Sequence, residues 1–144
     1  MIHTQRERVQ NMKVAIVGSR KYTNRRKIKE FIFKLIQKHG TDLTIVSGGC
    51  QDGADKYAKK YALELGAQYR EYPPFHEVHN LYCVLPESCY SKPYNMKYFF
   101  VRNKQVAQNS DIVIGFIPDG DPAKGTISTL KYAKKFNKKT MIIS

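Results

Sequence analysis

The chain has 144 residues, and its 25 lysines and arginines outnumber its 12 acidic residues, which gives a formal net charge of +13. This length suits one domain that buries its own core, so we expect no required cofactor. No apolar run could cross a bilayer, and the polar start lacks the apolar centre of a signal peptide, so we expect a cytoplasmic protein with no membrane partner. Three cysteines suit a reducing compartment. The charge favours an anionic ligand or nucleic acid, although a solvated lysine surface explains it equally well.

The first half of the chain predicts alternating strands and helices. Residues 13–17 (KVAIV) predict a strand, and apolar residues recur at helical spacing over residues 28–36. Residues 44–46 are β-branched and predict a second strand, which leads through a turn with three glycines into a helix over residues 54–65. Residues 68–72 predict a third strand before two prolines.

The second half of the chain continues this alternation after an interruption. Residues 75–97 contain prolines, histidines and tyrosines without a sustained period, and we interpret them as a lid-like insertion. A helix is predicted from residue 98 to about residue 108, and residues 111–117 predict a central strand. A further helix follows Thr126, and residues 140–143 predict the fifth strand.

This order of elements predicts an α/β fold. We expect a Rossmann-like three-layer sandwich, in which a five-stranded, mainly parallel sheet carries helices on both faces. Residues 12–144 would form one domain, and the polar residues 1–11 would form a flexible N-terminal extension. Whether the chain forms a homo-oligomer stays open.

Glycine-rich or small-residue loops follow three of the predicted strands. In such a sheet these loops meet at the carboxyl edge, where ligands bind at the point of strand-order reversal. Unpaired N–H groups at helix N-termini there favour a phosphate or another anion. One such loop is equally well explained as a tight connection without a ligand, but three at one edge favour a phosphate-bearing ligand. The dinucleotide fingerprint and the P-loop are both absent from the sequence, which argues against an ordinary NAD enzyme or an ATPase.

Four segments of the chain resemble the SLOG superfamily, the Rossmann-like group that includes DprA, the LOG cytokinin-activating proteins and the YspA-related proteins. They are VAIVGSR (14–20), IVSGGCQDGAD (45–55), FVRNKQVAQNSDIVIGF (100–116) and KGT (124–126). The pattern GSR, SGG-x-x-GAD, RN and GT is most similar to the YspA-related branch. The resemblance implies that the chain senses or sequesters a nucleotide or a nucleotide-derived small molecule. The ligand contacts that it implies are Gly18, Ser19, Arg20, Ser47, Gly48, Gly49, Gly53, Asp55, Arg102, Asn103, Gly120, Lys124, Gly125 and Thr126.

Three of these residues have structural alternatives. Arg20 could be an ordinary surface arginine, and Asp55 could cap or brace the start of its helix. Asn103 falls near an apolar helix face, where a buried hydrogen bond would explain it as well.

The resemblance also raises the question of enzyme activity. LOG-type phosphoribohydrolases carry G-G-x-G-T-x-x-E, and their catalytic pair is an arginine and that glutamate. Arg102 resembles the arginine and is the best catalytic candidate, but Thr129 stands where the glutamate would be. Cleavage of an N-glycosidic bond then lacks its evident acid, unless Asp119, Asp121 or Glu77 replaces it. We therefore expect a binding module, with a LOG-like phosphoribohydrolase as the alternative.

Two other sets of side chains have chemistry of their own. The insertion contains four residues of types that bind zinc: His76, His79, Cys83 and Cys89. Their spacing matches no common zinc pattern, so no metal site is expected. The many tyrosines could stack bases beside basic groups, which keeps DprA-like single-stranded nucleic-acid binding as a second alternative.

Overall fold

The computed structural model describes residues 11–144, so residues 1–10 of the predicted extension lie outside the described residues. Every predicted strand and helix is present. The elements are β1 (Met12–Gly18), α1 (Arg25–His39), β2 (Leu43–Ser47), α2 (Gly53–Glu64), β3 (Gln68–Glu71), α3 (Lys97–Gln108), β4 (Ile112–Phe116), α4 (Lys124–Lys135) and β5 (Lys139–Ile143), with short 3₁₀ turns at Gly40–Asp42 and Glu87–Cys89. In this part of the chain, no helix is long and apolar enough to cross a membrane.

The five strands form one sheet in the order β3-β2-β1-β4-β5, and every neighbouring pair is parallel. The predicted α/β Rossmann-like fold is thereby confirmed. The strand order reverses between β1 and β4, because the chain adds β2 and β3 on one side of β1 and then returns to its other side. A crevice outside the carboxyl ends of these two strands is where such a sheet offers room for a ligand.

Both faces of the sheet are covered, because alternate side chains of β1 enter different cores. Val14 and Ile16 pack with Ile28 and other residues of α1 and α2, whereas Ala15 and Val17 pack with residues of α3 and α4. This alternation is the period of two that a strand imposes on its side chains. It explains why residues 14–17 of β1 are all apolar.

The insertion at residues 75–97 is anchored to the end of β3. The backbone N–H of Val84 donates to the carbonyl of Glu71 at 3.2 Å. The Glu71 carboxylate, in a residue that is 1% exposed, accepts hydrogen bonds from Lys59 Nζ at 3.0 Å and from Asn80 Nδ2 at 3.2 Å. These contacts fix one part of the insertion against the sheet, and its role as a lid stays a prediction.

Candidate functional site

A cavity of about 330 Å³, which we call the main cavity, lies at the carboxyl ends of the strands where their order reverses. It is bounded by the loops after β1 and β2, by α3 and by the start of α4. Ten of the fourteen predicted contacts line it: Gly18, Ser19, Arg20, Gly48, Asp55, Arg102, Asn103, Lys124, Gly125 and Thr126. The structure therefore brings together residues that lie up to 108 positions apart in the chain.

Four predicted contacts do not line the main cavity. Ser47 is fully buried, and its Oγ accepts a hydrogen bond from the N–H of Gly49 at 3.1 Å, so it shapes the turn after β2. Gly49 lines a neighbouring cavity instead. Gly53 packs against the loop after β1, where a Cβ would collide with the carbonyl oxygen of Ser19. Gly120 has a φ of +80° with no neighbour near its missing Cβ, so it serves a turn.

The loops after β1 and β4 are joined through one carboxylate. Ser19 Oγ donates a short hydrogen bond to Asp121 Oδ2, and Ser19 Oγ accepts one from the N–H of Lys21 at 3.0 Å. The other oxygen, Asp121 Oδ1, accepts from the N–H of Ala123 at 2.8 Å. The hydrogen bond from Ser19, and to a smaller extent that from Ala123, holds the pKa of Asp121 below its usual value. Asp121 thus braces the two loops against each other.

Helix α4 points its N-terminus at the main cavity. Lys124, Gly125 and Thr126 form its first turn and line the cavity, and this turn contains no acidic residue. The first N–H groups of a helix lack partners within the helix and carry its positive dipole end. Together with the ammonium group of Lys124 they favour an anion at this end of the cavity.

Arg102 extends from α3 to the loop after β2, where hydrogen bonds fix its side chain. Its Nη1 donates to the carbonyl oxygen of Gly48 at 2.7 Å, and its Nε donates to Asn103 Oδ1 at 3.1 Å. Asn103 therefore orients the arginine from a buried position. Nearby, burial raises the pKa of Asp55 to about 6, although the charge of Arg102 and a hydrogen bond from the N–H of Cys50 oppose that rise.

Sequence reasoning missed Phe99 and Cys50, which also line the main cavity. The guanidinium carbons of Arg20 and Arg102 each lie 5.8 Å from the centroid of the Phe99 ring. The helical spacing from Phe99 to Arg102 is i, i+3, so the two share a face of α3, and that spacing was an available signal. An aromatic ring beside two cations gives this part of the cavity one flat apolar surface and two positive charges.

The described residues 11–144 contain no group of three or more His, Cys, Asp and Glu side chains that could hold a metal ion. His76 packs instead against aromatic rings, with its ring centroid 4.7 Å from that of Tyr94 and 5.0 Å from that of Phe99. Cys83 and Cys89 are free thiols.

Two solved structures that share this fold are named for binding or carrying the molybdenum cofactor. The chain is 18% identical to a molybdenum cofactor binding protein from the phototrophic bacterium Rippkaea orientalis, with a TM-score of 0.67 over 93% of this chain and 77% of that chain. It is 17% identical to the molybdenum cofactor carrier protein of Chlamydomonas reinhardtii, with a TM-score of 0.64 over 92% of this chain and 76% of that one. At these identities the likeness establishes a shared fold.

One family model matches part of the sequence. The model of the YAcAr family, described as the YspA, cpYpsA-related SLOG family, matches residues 12–79. This match confirms the predicted resemblance to the SLOG superfamily and to its YspA-related branch. A comparison with curated proteins gives no match.

One expectation is corrected by the structural neighbours. The sequence led us to expect a nucleotide ligand and no required cofactor. The solved structures that share the fold over nine tenths of this chain are instead named for the molybdenum cofactor that they bind or carry. The expectation of a cofactor-free domain is therefore wrong as a guide to this fold.

Proposed function

We propose that this protein binds and carries a small phosphorylated heterocycle of the molybdenum-cofactor type. The observation that carries this proposal is the composition of the main cavity, where the start of α4 and Lys124 lie at one end and the Phe99 ring lies beside Arg20 and Arg102. The molybdenum cofactor is a fused pterin with a terminal phosphate, so it needs one anion-binding contact and one flat apolar contact. The cavity supplies both kinds of contact.

The cofactor would be cargo in this proposal, and its metal would not need protein ligands. The N–H groups at the start of α4 and the ammonium of Lys124 would bind the phosphate. Arg102, fixed by Gly48 and Asn103, would add a preorganised cation that loses little freedom on binding. The polar groups that hold the site are thus already in place before a ligand arrives.

Binding without turnover is supported by the state of the side chains around the cavity. Thr129, which replaces the LOG glutamate, donates its hydroxyl to the carbonyl of Gly125 at 3.1 Å. Asp121 is engaged by Ser19 and Ala123. Neither side chain is available as an acid to a bound ligand.

A phosphoribohydrolase is the second candidate, and Asp55 is the observation that favours it. Among the described residues that line the main cavity, Asp55 supplies the sole carboxyl group, and its pKa of about 6 suits a general acid. Incubation with AMP or GMP, followed by chromatography for the free base, tests this candidate. Base release that Asp55→Asn abolishes would establish the enzyme and overturn the carrier.

The test of the carrier is a transfer of cargo. Molybdenum cofactor released from a molybdoenzyme under anaerobic conditions is mixed with the protein, which is then desalted and analysed for molybdenum and for the fluorescence of the oxidised pterin. We expect close to one cofactor per chain, a strong loss in Lys124→Ala, and no loss in Lys38→Ala, which removes an exposed lysine from α1. Equal retention by all three proteins, or by none, would refute the proposal.

A further inference from the structure

Resting on that proposed function, we propose that the heterocycle of the ligand enters a second cavity, where Glu77 recognises a ring N–H and the amino group beside it. Pterins and guanine share this edge. The inference assigns a specificity-determining role to a residue of the insertion, and it names the ligand class as phosphorylated 2-amino-4-oxo heterocycles.

The second cavity, which we call the side cavity, has a volume of about 220 Å³. It shares Arg20, Cys50, Phe99 and Arg102 with the main cavity. Because four residues border both, the two cavities are neighbours on either side of these residues. In this proposal a ligand whose phosphate lies at the start of α4 extends past Phe99 into the side cavity.

The two cavities differ in the groups that line them. Lys124 and the first turn of α4 line the main cavity and not the side cavity. The side cavity shares Arg20 and Arg102 with the main cavity and adds the hydrogen-bond acceptors of Glu77, Asp52 and Gln51. A ligand that is anionic at one end and rich in N–H donors at the other matches this arrangement, with its phosphate at the start of α4 and its donors facing these acceptors.

Glu77 is well placed to act as this acceptor. Its N–H donates to the carbonyl of Pro74 at 2.9 Å, and its carbonyl accepts from the N–H of Ser91 at 2.9 Å, so its backbone is fixed on both sides. Its side chain remains 51% exposed, with the nearest cation candidate, His76 Nε2, 4.0 Å from Oε2. The carboxylate can thus accept a new pair of hydrogen bonds.

The geometry of a carboxylate explains the choice of ligand. Two adjacent N–H groups on one edge of a ring bind the two oxygens of a carboxylate in parallel, as a guanidinium does. Pterin and guanine present a ring N–H beside an amino group, and hypoxanthine keeps the ring N–H without the amino group. Adenine presents a ring nitrogen acceptor, whose lone pair would face the carboxylate.

The experiment compares GMP with IMP by isothermal titration, because these nucleotides differ in the amino group alone. AMP and ribose 5-phosphate complete the series. A hydrogen bond to a charged group is worth roughly a factor of ten or more in affinity. We therefore expect GMP to bind at least about tenfold more tightly than IMP, with AMP weaker than both.

Glu77→Gln should lower the affinity for GMP to about that for IMP and leave the affinity for ribose 5-phosphate unchanged. Glu87→Gln, which changes an exposed glutamate of the same insertion, is the matched control and should leave the GMP to IMP ratio unchanged. Circular dichroism of Glu77→Gln distinguishes a loss of recognition from a loss of fold. The nucleotide series on the unchanged protein tests the inference without any variant.

The outcomes distinguish this inference from the function on which it rests. If ribose 5-phosphate binds but GMP, IMP and AMP bind equally well, or if Glu77→Gln keeps the GMP preference, the role of Glu77 is overturned and the anion site stands. If neither ribose 5-phosphate nor any nucleotide binds, the main cavity is not an anion site and the proposed function fails as well.

Discussion

The substitution Gly48→Ala tests how far the site depends on the placement of Arg102. A Cβ at Gly48 would lie 2.5 Å from Arg102 Nη1 and 2.9 Å from its Cδ, so the arginine must leave its present position. The hydrogen bond of 2.7 Å from Nη1 to the Gly48 carbonyl would then be lost. A displaced Arg102 would also lose its own hydrogen bond to a bound anion, and a hydrogen bond of this charged kind contributes about 1.5 to 3 kcal/mol, so ligand affinity should fall by a factor of roughly 10 to 150.

The same substitution should cost much less in folding free energy. Its clash falls on a long side chain that can move, so we expect a loss of about 1 kcal/mol, seen as a fall of a few degrees in Tm. Gly125→Ala is the control for stability, because a Cβ there meets no atom within 4 Å and alanine favours a helix over glycine by about 0.5 to 1 kcal/mol. Differential scanning fluorimetry and titration with GMP measure the two effects. Unchanged GMP affinity in Gly48→Ala would refute the reasoning about Arg102.

Three further predictions concern other parts of the structure. Burial raises the pKa of Asp55 from its ordinary value of 3.8 to about 6, so the folded state holds the proton of this carboxyl more tightly than the unfolded state does. As the pH rises from about 4 to about 6, ionisation of Asp55 should therefore lower the free energy of unfolding by up to about 3 kcal/mol. Urea unfolding measured across this range should show that trend in the unchanged protein and not in Asp55→Asn. Ala123 has a φ of +41°, so Ala123→Gly should raise the free energy of unfolding by up to about 1 kcal/mol, whereas Gly120→Ala, at a φ of +80°, should lower it by a similar amount. Lys59→Ala should cost about 3 kcal/mol, because it leaves the buried carboxylate of Glu71 without its cation at 3.0 Å.

Each of these predictions has an outcome that contradicts it. A difference between Asp55→Asn and the unchanged protein that does not vary with pH would mean that Asp55 is solvated. A lower free energy of unfolding in Ala123→Gly, together with a higher one in Gly120→Ala, would show that backbone conformation does not control these turns. For Lys59, the variant Lys59→Met retains the packing of the stem but not the charge. Equal losses in Lys59→Ala and Lys59→Met would identify the charge as the cause, whereas a loss in Lys59→Ala that Lys59→Met does not share would refute it.

The fold could be predicted from the sequence because its signals are local. The β-branched run of β2 and the apolar spacing of α1 and α2 each specify an element within a dozen residues. Alternation of these elements then leaves few topologies, since crossovers between parallel strands are right-handed. The site was predictable to the extent that glycine loops follow strands, and this placed the loops after β1 and β2 together.

What the sequence did not reveal depends on contacts between distant residues. The partnership of Ser19 with Asp121 spans 102 positions, so no local pattern could distinguish a brace from a free acid. The separation of the two cavities likewise depends on where α3 places Phe99 against the loop that carries Arg20. Gly53 was predicted to contact a ligand because glycine suits close approach, and the group that approaches it is the backbone of the neighbouring loop.

The sequence leaves the role of the net charge of +13 open, and the structure divides this charge between the site and the rest of the surface. In the described part of the chain, the main cavity is lined by three basic residues, Arg20, Arg102 and Lys124. Most of the charge excess therefore lies elsewhere, and its general effect is to raise the local concentration of anions and the rate at which they reach the cavity. Attraction of this kind weakens steeply with salt, whereas contacts made by fixed groups in a partly buried cavity weaken much less. Affinity for GMP that persists at moderate salt, beside oligonucleotide binding that disappears there, would assign recognition to the cavity and would leave the remaining charge a role in steering.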